Sequence, residues 1–118
     1  MNVLTGFILV MALMLPFSKT VLAADSGKAK TPIVVDVRTQ AEWDAGHLEG
    51  AVLIPFERIA AEASQIASDK TIKMYLYCRT GRRSALALDA LKKNGYTDVI
   101  NLGSIESAAK ALDKKILK

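Results

Sequence analysis

Strand-like and helix-like segments alternate along residues 33–116, and that alternation restricts the class of fold this chain can adopt. Ile33-Val34-Val35-Asp36-Val37 is a β-branched run without helical periodicity, the pattern of a strand covered on both faces. Thr39 and Glu42 have capping-box spacing, which predicts a short helix that Gly46 can end. Ala51-Val52-Leu53-Ile54, closed by Pro55, is a second apolar run; residues 56–67 then carry Ile59, Ala63 and Ile66 at helical spacing. Residues 72–77 predict a third strand, running straight into Cys78. Residues 84–93 predict a helix, with Ser84 available as N-cap, lysines in its last turn and Gly95 just beyond. A fourth strand is expected over 98–101, and a closing helix over 105–116. Short strands alternating with helices imply an α/β domain with a mostly parallel central sheet flanked by helices. In such sheets ligands bind outside the carboxyl ends of the strands, and Cys78 stands at such an end.

The N-terminal part does not fit this pattern. Val3–Phe17 is one apolar run, followed by Ser18-Lys19-Thr20 and the small residues around Ala23. It is shorter than the ~20 residues that span a bilayer, and Pro16 interrupts it. The pattern is that of a secretory signal peptide over residues 1–23, with cleavage after Ala23 or Ala24. Only Met1-Asn2 precedes the run, so an uncleaved anchor or a buried N-terminal helix are the competing readings. Residues 24–30 are small and polar and read as a flexible lead-in, leaving 31–118 as the folded domain; 118 residues allow one. Loss of residues 1–23 removes Lys19 and no acid, so the net charge of +4 becomes +3. That mild balance suits small anions, but without a basic stripe it argues against a nucleic-acid partner. After cleavage no segment remains for stable membrane association. Oligomeric state is not legible in the sequence.

The chain contains one cysteine, so it can form no internal disulfide. In an exported protein, such a thiol is either buried and inert or kept for its reactivity. Its neighbours are Arg79, Thr80, Gly81, Arg82, Arg83 and Ser84. A tight loop between a strand and a helix N-terminus gathers backbone N–H groups into a concave site for negative charge. A sulfur aimed into that bowl, with three arginines near, is favoured as thiolate, which takes a cysteine pKa from ~8.5 to roughly 3.5–7.5. Such a thiolate is a nucleophile that needs no histidine base. The alternative is a small buried hydrophobe at a strand end with solvated loop arginines around it.

Longer fragments then carry a resemblance. Asp36-Val37-Arg38, Glu42-Trp43, Gly46-His47-Leu48-Glu49-Gly50-Ala51 and Ile54-Pro55 resemble the first signature of the rhodanese family. Tyr77 to Ser84, with Gly95-Tyr96 and Val99-Ile100-Asn101-Leu102-Gly103, resemble its active-site signature. With the signal sequence, the chain is similar to the small single-domain exported sulfurtransferases of the phage-shock type, which act in the periplasm. The resemblance implies a rhodanese-like α/β domain and a thiosulfate sulfurtransferase without metal or cofactor. Cys78 would take sulfur from a small anionic donor as a persulfide and pass it to cyanide or a thiol. Arg79, Arg82 and Arg83, with the loop amides, would hold the donor; Asp36 and Arg38 would brace the loop, or make ordinary surface contacts. Four residues separate Cys78 from Arg83, whereas phosphatases and arsenate reductases of this fold use five, a wider loop for a tetrahedral oxyanion. A sulfur carrier without turnover is the other rival.

The lone histidine, His47, sits in a Gly-His-x-x-Gly-Ala turn and reads as structural, bonded to backbone. One His and one Cys far apart in sequence offer no zinc ligand set. Trp43 and Tyr77 are expected in the core. Where many relatives have Gly-Gly and then a tryptophan, this chain has Gly103-Ser104-Ile105-Glu106-Ser107-Ala108, which leaves one wall of the pocket undefined.

Overall fold

The computed structural model describes residues 30–118. The expected signal segment and nearly all of the lead-in lie outside the described residues. Within them the order is β1 (Ile33–Asp36), α1 (Gln40–Ala45), β2 (His47–Leu48), β3 (Val52–Leu53), a 3-10 turn at Phe56–Arg58, α2 (Ile59–Ile66), β4 (Met74–Cys78), α3 (Arg82–Lys93), β5 (Val99–Ser104), α4 (Ile105–Leu112) and β6 (Ile116–Leu117).

Four strands form one sheet, β3-β1-β4-β5, with every neighbouring pair parallel. Side chains alternate across it, as the two-residue period of a strand requires. Val35, Met74, Leu76 and Cys78 join the cluster that also holds Ile59, Ala63, Ala87 and Leu91 from α2 and α3. Val34 and Tyr77 join Leu48, Ile105 and Ala108, which come from β2 and α4. The expected two-sided cover of β1 is therefore met. So is the capping box: the Thr39 side chain accepts from the Glu42 N–H while Glu42 accepts from the Thr39 N–H.

Several details differ from expectation: the second helix is preceded by the 3-10 turn, and the expected third and fourth strands cover Met74–Cys78 and Val99–Ser104. Ser84 is not the N-cap of its helix; that position belongs to Gly81, whose left-handed φ of 95° lets α3 start at Arg82. The closing helix ends at Leu112, with Asp113 in the left-handed region. The chain then returns as β6, pairing antiparallel with β2. A two-residue strand has no periodicity to read, so nothing in the sequence announced it.

The chain runs from β1 outward to β3, then crosses to β4 on the other side of β1. Strand order thus reverses between β1 and β4, and the crevice at their carboxyl ends is where such a sheet receives a ligand. Cys78 closes β4 at that crevice. β4 and β5 also lose register there, since Leu76 faces Asn101 but Cys78 faces Ser104. The extra residue lies on β5, and the bulge re-aims Asn101 and Gly103 towards the loop after Cys78.

Candidate active site

The Cys78 sulfur is fully buried at the floor of the loop. It accepts a hydrogen bond from the Gly81 N–H at 2.9 Å, and the Ser84 hydroxyl stands 3.6 Å away. Burial alone would push the thiol up. The Ser84 hydroxyl and the backbone amides of Ser84, Thr80 and Gly81 outweigh it and bring the thiol down to about 7. Its position just before the N-terminus of α3 acts in the same direction.

Activation therefore comes mainly from amides and a hydroxyl rather than from the three arginines. Arg83 is turned aside: its Nη1 and Nη2 donate to Glu42 Oε1 and Oε2 at 2.7 and 2.9 Å. Arg79 and Arg82 are exposed, without an ion-pair partner among the described residues. Thr80 is exposed as well, and its hydroxyl oxygen lies 3.4 Å from the Arg82 N–H. Among the loop residues expected to hold a donor, Thr80, Gly81 and Ser84 present groups to the sulfur, Arg79 and Arg82 face solvent, and Arg83 is paired.

Ser84 sits at a branching point. Its hydroxyl also lies 2.7 Å from Asn101 Oδ1 and 3.0 Å from the Gly81 carbonyl, yet it has one proton to donate. Asn101 Oδ1 has a second donor in the Gly103 N–H at 2.8 Å. The hydroxyl can therefore turn to a newly formed thiolate without leaving Asn101 unsatisfied. Asn101 Nδ2 in turn donates to the Gly81 carbonyl at 3.0 Å, fixing the loop from β5. A methyl group at Gly81 would come within 3.2 Å of Gly103 Cα, so the loop and the β5 bulge are in backbone contact.

A pH dependence follows from this geometry. Alkylation of Cys78 by iodoacetamide is expected to rise with pH through a midpoint near 7, because the reactive thiolate exists above that value and the thiol below it. Ser84→Ala removes one stabiliser of the charged form, so the midpoint should move up towards that of an ordinary thiol. The rate measured at neutral pH then falls severalfold.

Asp36 and Arg38 do not touch the loop, and they are not at the surface either. Asp36 is fully buried and accepts from the Arg38 backbone N–H, Nε and Nη2. Arg38 Nη2 also donates to the Gly46 carbonyl at 2.6 Å, and its guanidinium lies 5.6 Å from the Tyr77 ring centroid. The pair thus locks the end of β1 to the end of α1 and to the residue preceding Cys78. Tyr77 is buried as expected, and its hydroxyl oxygen accepts from the Leu48 N–H. Trp43 departs from expectation: it is only partly buried and stacks on His47, with ring centroids 3.6 Å apart. His47 bonds the Trp43 carbonyl through Nδ1, in keeping with a structural histidine.

Two residues of the site escaped the sequence reading. Glu42 was legible as a capping residue and as part of a recognised fragment, but its pairing with Arg83 spans 41 positions. Asn101 stood within a recognised fragment, but its contacts depend on the β5 bulge.

The chain as a whole is similar to known proteins. The chain is 32% identical over 99 residues to the thiosulfate sulfurtransferase PspE of Escherichia coli, covering 84% of this chain and 88% of that one. It is 42% identical over 91 residues to the probable adenylyltransferase/sulfurtransferase MoeZ of Mycobacterium tuberculosis, covering 75% of this chain but only 22% of MoeZ's length. A solved E. coli rhodanese superposes with a TM-score of 0.69 at 28% identity, covering 75% of this chain and 99% of that one. The rhodanese-like domain family matches residues 18–111. With this match, an all-parallel sheet of four strands and a cysteine loop at the β1/β4 switch point, the chain belongs to the rhodanese-like domain family.

Proposed function

We propose that the chain is a thiosulfate sulfurtransferase working through a persulfide on Cys78. The Cys78 thiolate attacks the outer sulfur of thiosulfate; the donor's S–S bond breaks and sulfite leaves with the electron pair. The terminal persulfide sulfur is then taken by cyanide, giving thiocyanate, or by a thiol, and the thiolate is restored. The observation that carries this reading is the sulfur's setting: a buried thiol lowered to about 7 by amides and a hydroxyl, with no histidine involved. Those donors that stabilise the thiolate also suit the developing charge of a persulfide. Full burial of the sulfur favours a small donor over a bulky one. The similarity to PspE, a thiosulfate sulfurtransferase, and to a rhodanese described as solved with anions supports the choice of donor.

The apolar run at Val3–Phe17 supports export, cleavage after Ala23 or Ala24, and work in the periplasm on a small anionic donor and a thiol or cyanide acceptor. Intact mass analysis of exported protein after thiosulfate treatment tests both parts. A gain of one sulfur atom, removed by cyanide and absent in Cys78→Ser, is the expected result. No gain would sink the persulfide mechanism, and an N-terminus still at Met1 would sink the cleavage. Loading without turnover would recast the protein as a sulfur carrier.

A further inference from the structure

Glu42 and Arg83 face each other across the crevice where strand order reverses. Glu42 lies on α1, which follows β1; Arg83 lies in the first turn of α3, which follows β4. The Glu42 end of the pair is held by Thr39 as well. The Glu42 carboxylate receives both Arg83 nitrogens, the Thr39 N–H at 3.1 Å and the Thr39 hydroxyl at 3.1 Å. The pair is about three-quarters buried, with side-chain exposures of 26% for Arg83 and 21% for Glu42. The bond to Arg83, and more weakly those from Thr39, hold the carboxyl at about 2, against the opposing effect of burial. The carboxylate therefore stays charged at any pH at which the thiolate exists.

A two-pronged ion pair of this kind satisfies the guanidinium fork, leaving Arg83 little to offer an incoming anion. Arg79 and Arg82 are under no such restraint. Of the three loop arginines, the one that defines the loop's length is thus the one whose guanidinium is already paired. Arg83 nonetheless lies close enough to feel the Cys78 charge. Released from Glu42, it would add a full positive charge beside the sulfur.

We propose that Glu42 is a positioning residue that sets anion affinity: by holding Arg83 aside, it keeps the Cys78 loop from gripping dianions too tightly. The inference rests on the reading of that loop as an anion-binding cradle. Its chemical sense lies in turnover, since sulfite must leave after each transfer. Binding that is equally strong for donor and product does not speed the reaction.

The test uses inorganic sulfate, which cannot donate sulfur, to protect Cys78 from iodoacetamide at fixed pH and ionic strength. Glutamine serves the capping box as well as glutamate, so Glu42→Gln frees Arg83 while leaving α1 capped. The sulfate concentration giving half protection should fall about fivefold in Glu42→Gln, the scale of a partly exposed ion pair. It should stay within about twofold of wild type in the double variant Glu42→Gln/Arg83→Gln, which removes both charges of the pair. With thiosulfate as donor, Glu42→Gln should lower KM without raising kcat. No tightening in a folded Glu42→Gln protein overturns the proposal. So does a fivefold loss of protection in the double variant Glu42→Gln/Arg83→Gln, which would make Arg83 a direct ligand and decides the matter even where Glu42→Gln alone does not fold. Failure of thiosulfate to load Cys78 would refute the sulfurtransferase reading and leave the sulfate result to judge Glu42.

Discussion

Arg38→Met is expected to lower the unfolding free energy by about 3–5 kcal/mol, the scale for removing one partner of a buried ion pair. The size comes from what stays behind. Asp36 is fully buried, and Arg38 supplies the backbone and side-chain donors seen at its carboxylate. Methionine keeps most of the apolar stem beside Tyr77 but removes every guanidinium donor, including the one on the Gly46 carbonyl. A charge without those donors must then stay buried, take up a proton, or drag the end of β1 towards water. Urea denaturation at neutral pH measures the loss. The double variant Asp36→Val/Arg38→Met should recover most of it, because well-packed apolar side chains often replace a buried pair without net cost. A single-variant loss below about 1 kcal/mol would mean that solvent reaches Asp36 in solution.

Cys78→Ser is expected to reduce thiocyanate formation from thiosulfate and cyanide by at least about 10³-fold, in line with deletion of a covalent nucleophile. A serine hydroxyl in the same cradle receives the same amides, but at neutral pH it has almost no ionised form with which to attack sulfur. The loop itself should survive, since the bonds from Asn101 and Ser84 to the Gly81 carbonyl do not involve the sulfur. Sulfate binding measured by calorimetry should therefore remain while turnover disappears. Residual turnover above a tenth of wild type would show that sulfur moves without passing through residue 78.

What the sequence revealed, and what it hid, divides along a physical line. Local patterns were legible: the β-branched run of β1, the Thr39–Glu42 cap, and the strand that delivers Cys78 into a tight turn. Each is fixed by neighbours a few residues apart. The sulfur's activators were half legible. A loop opening a helix announces converging amides, yet the arginines beside it suggested more electrostatic help than they give. Arg83's partner lies 41 positions earlier, and only the β1/β4 crossover brings the two together. Ser84 was misplaced by three residues because serine is a common N-cap, whereas the cap here is made by a glycine in the left-handed region. Trp43, near the start of a short helix, was expected in the core, but that helix has no buried residue and Trp43 lies against His47 instead. The β6 return had no local signal at all.

The contact between Gly81 and Gly103 has a consequence for how the specificity of such a loop can change. The two backbones meet so closely that even a single methyl group on Gly81 would force Gly103 to give way. Lengthening the loop by one residue at Gly81, towards the longer loops that the resemblance associates with phosphate chemistry, would press on the same contact. The β5 bulge would have to move with it, and Asn101, anchored to that bulge, would lose its hold on the Gly81 carbonyl. The route from one chemistry to the other would need paired changes in segments some twenty residues apart, and an insertion by itself would produce a loosened loop before it produced a new activity.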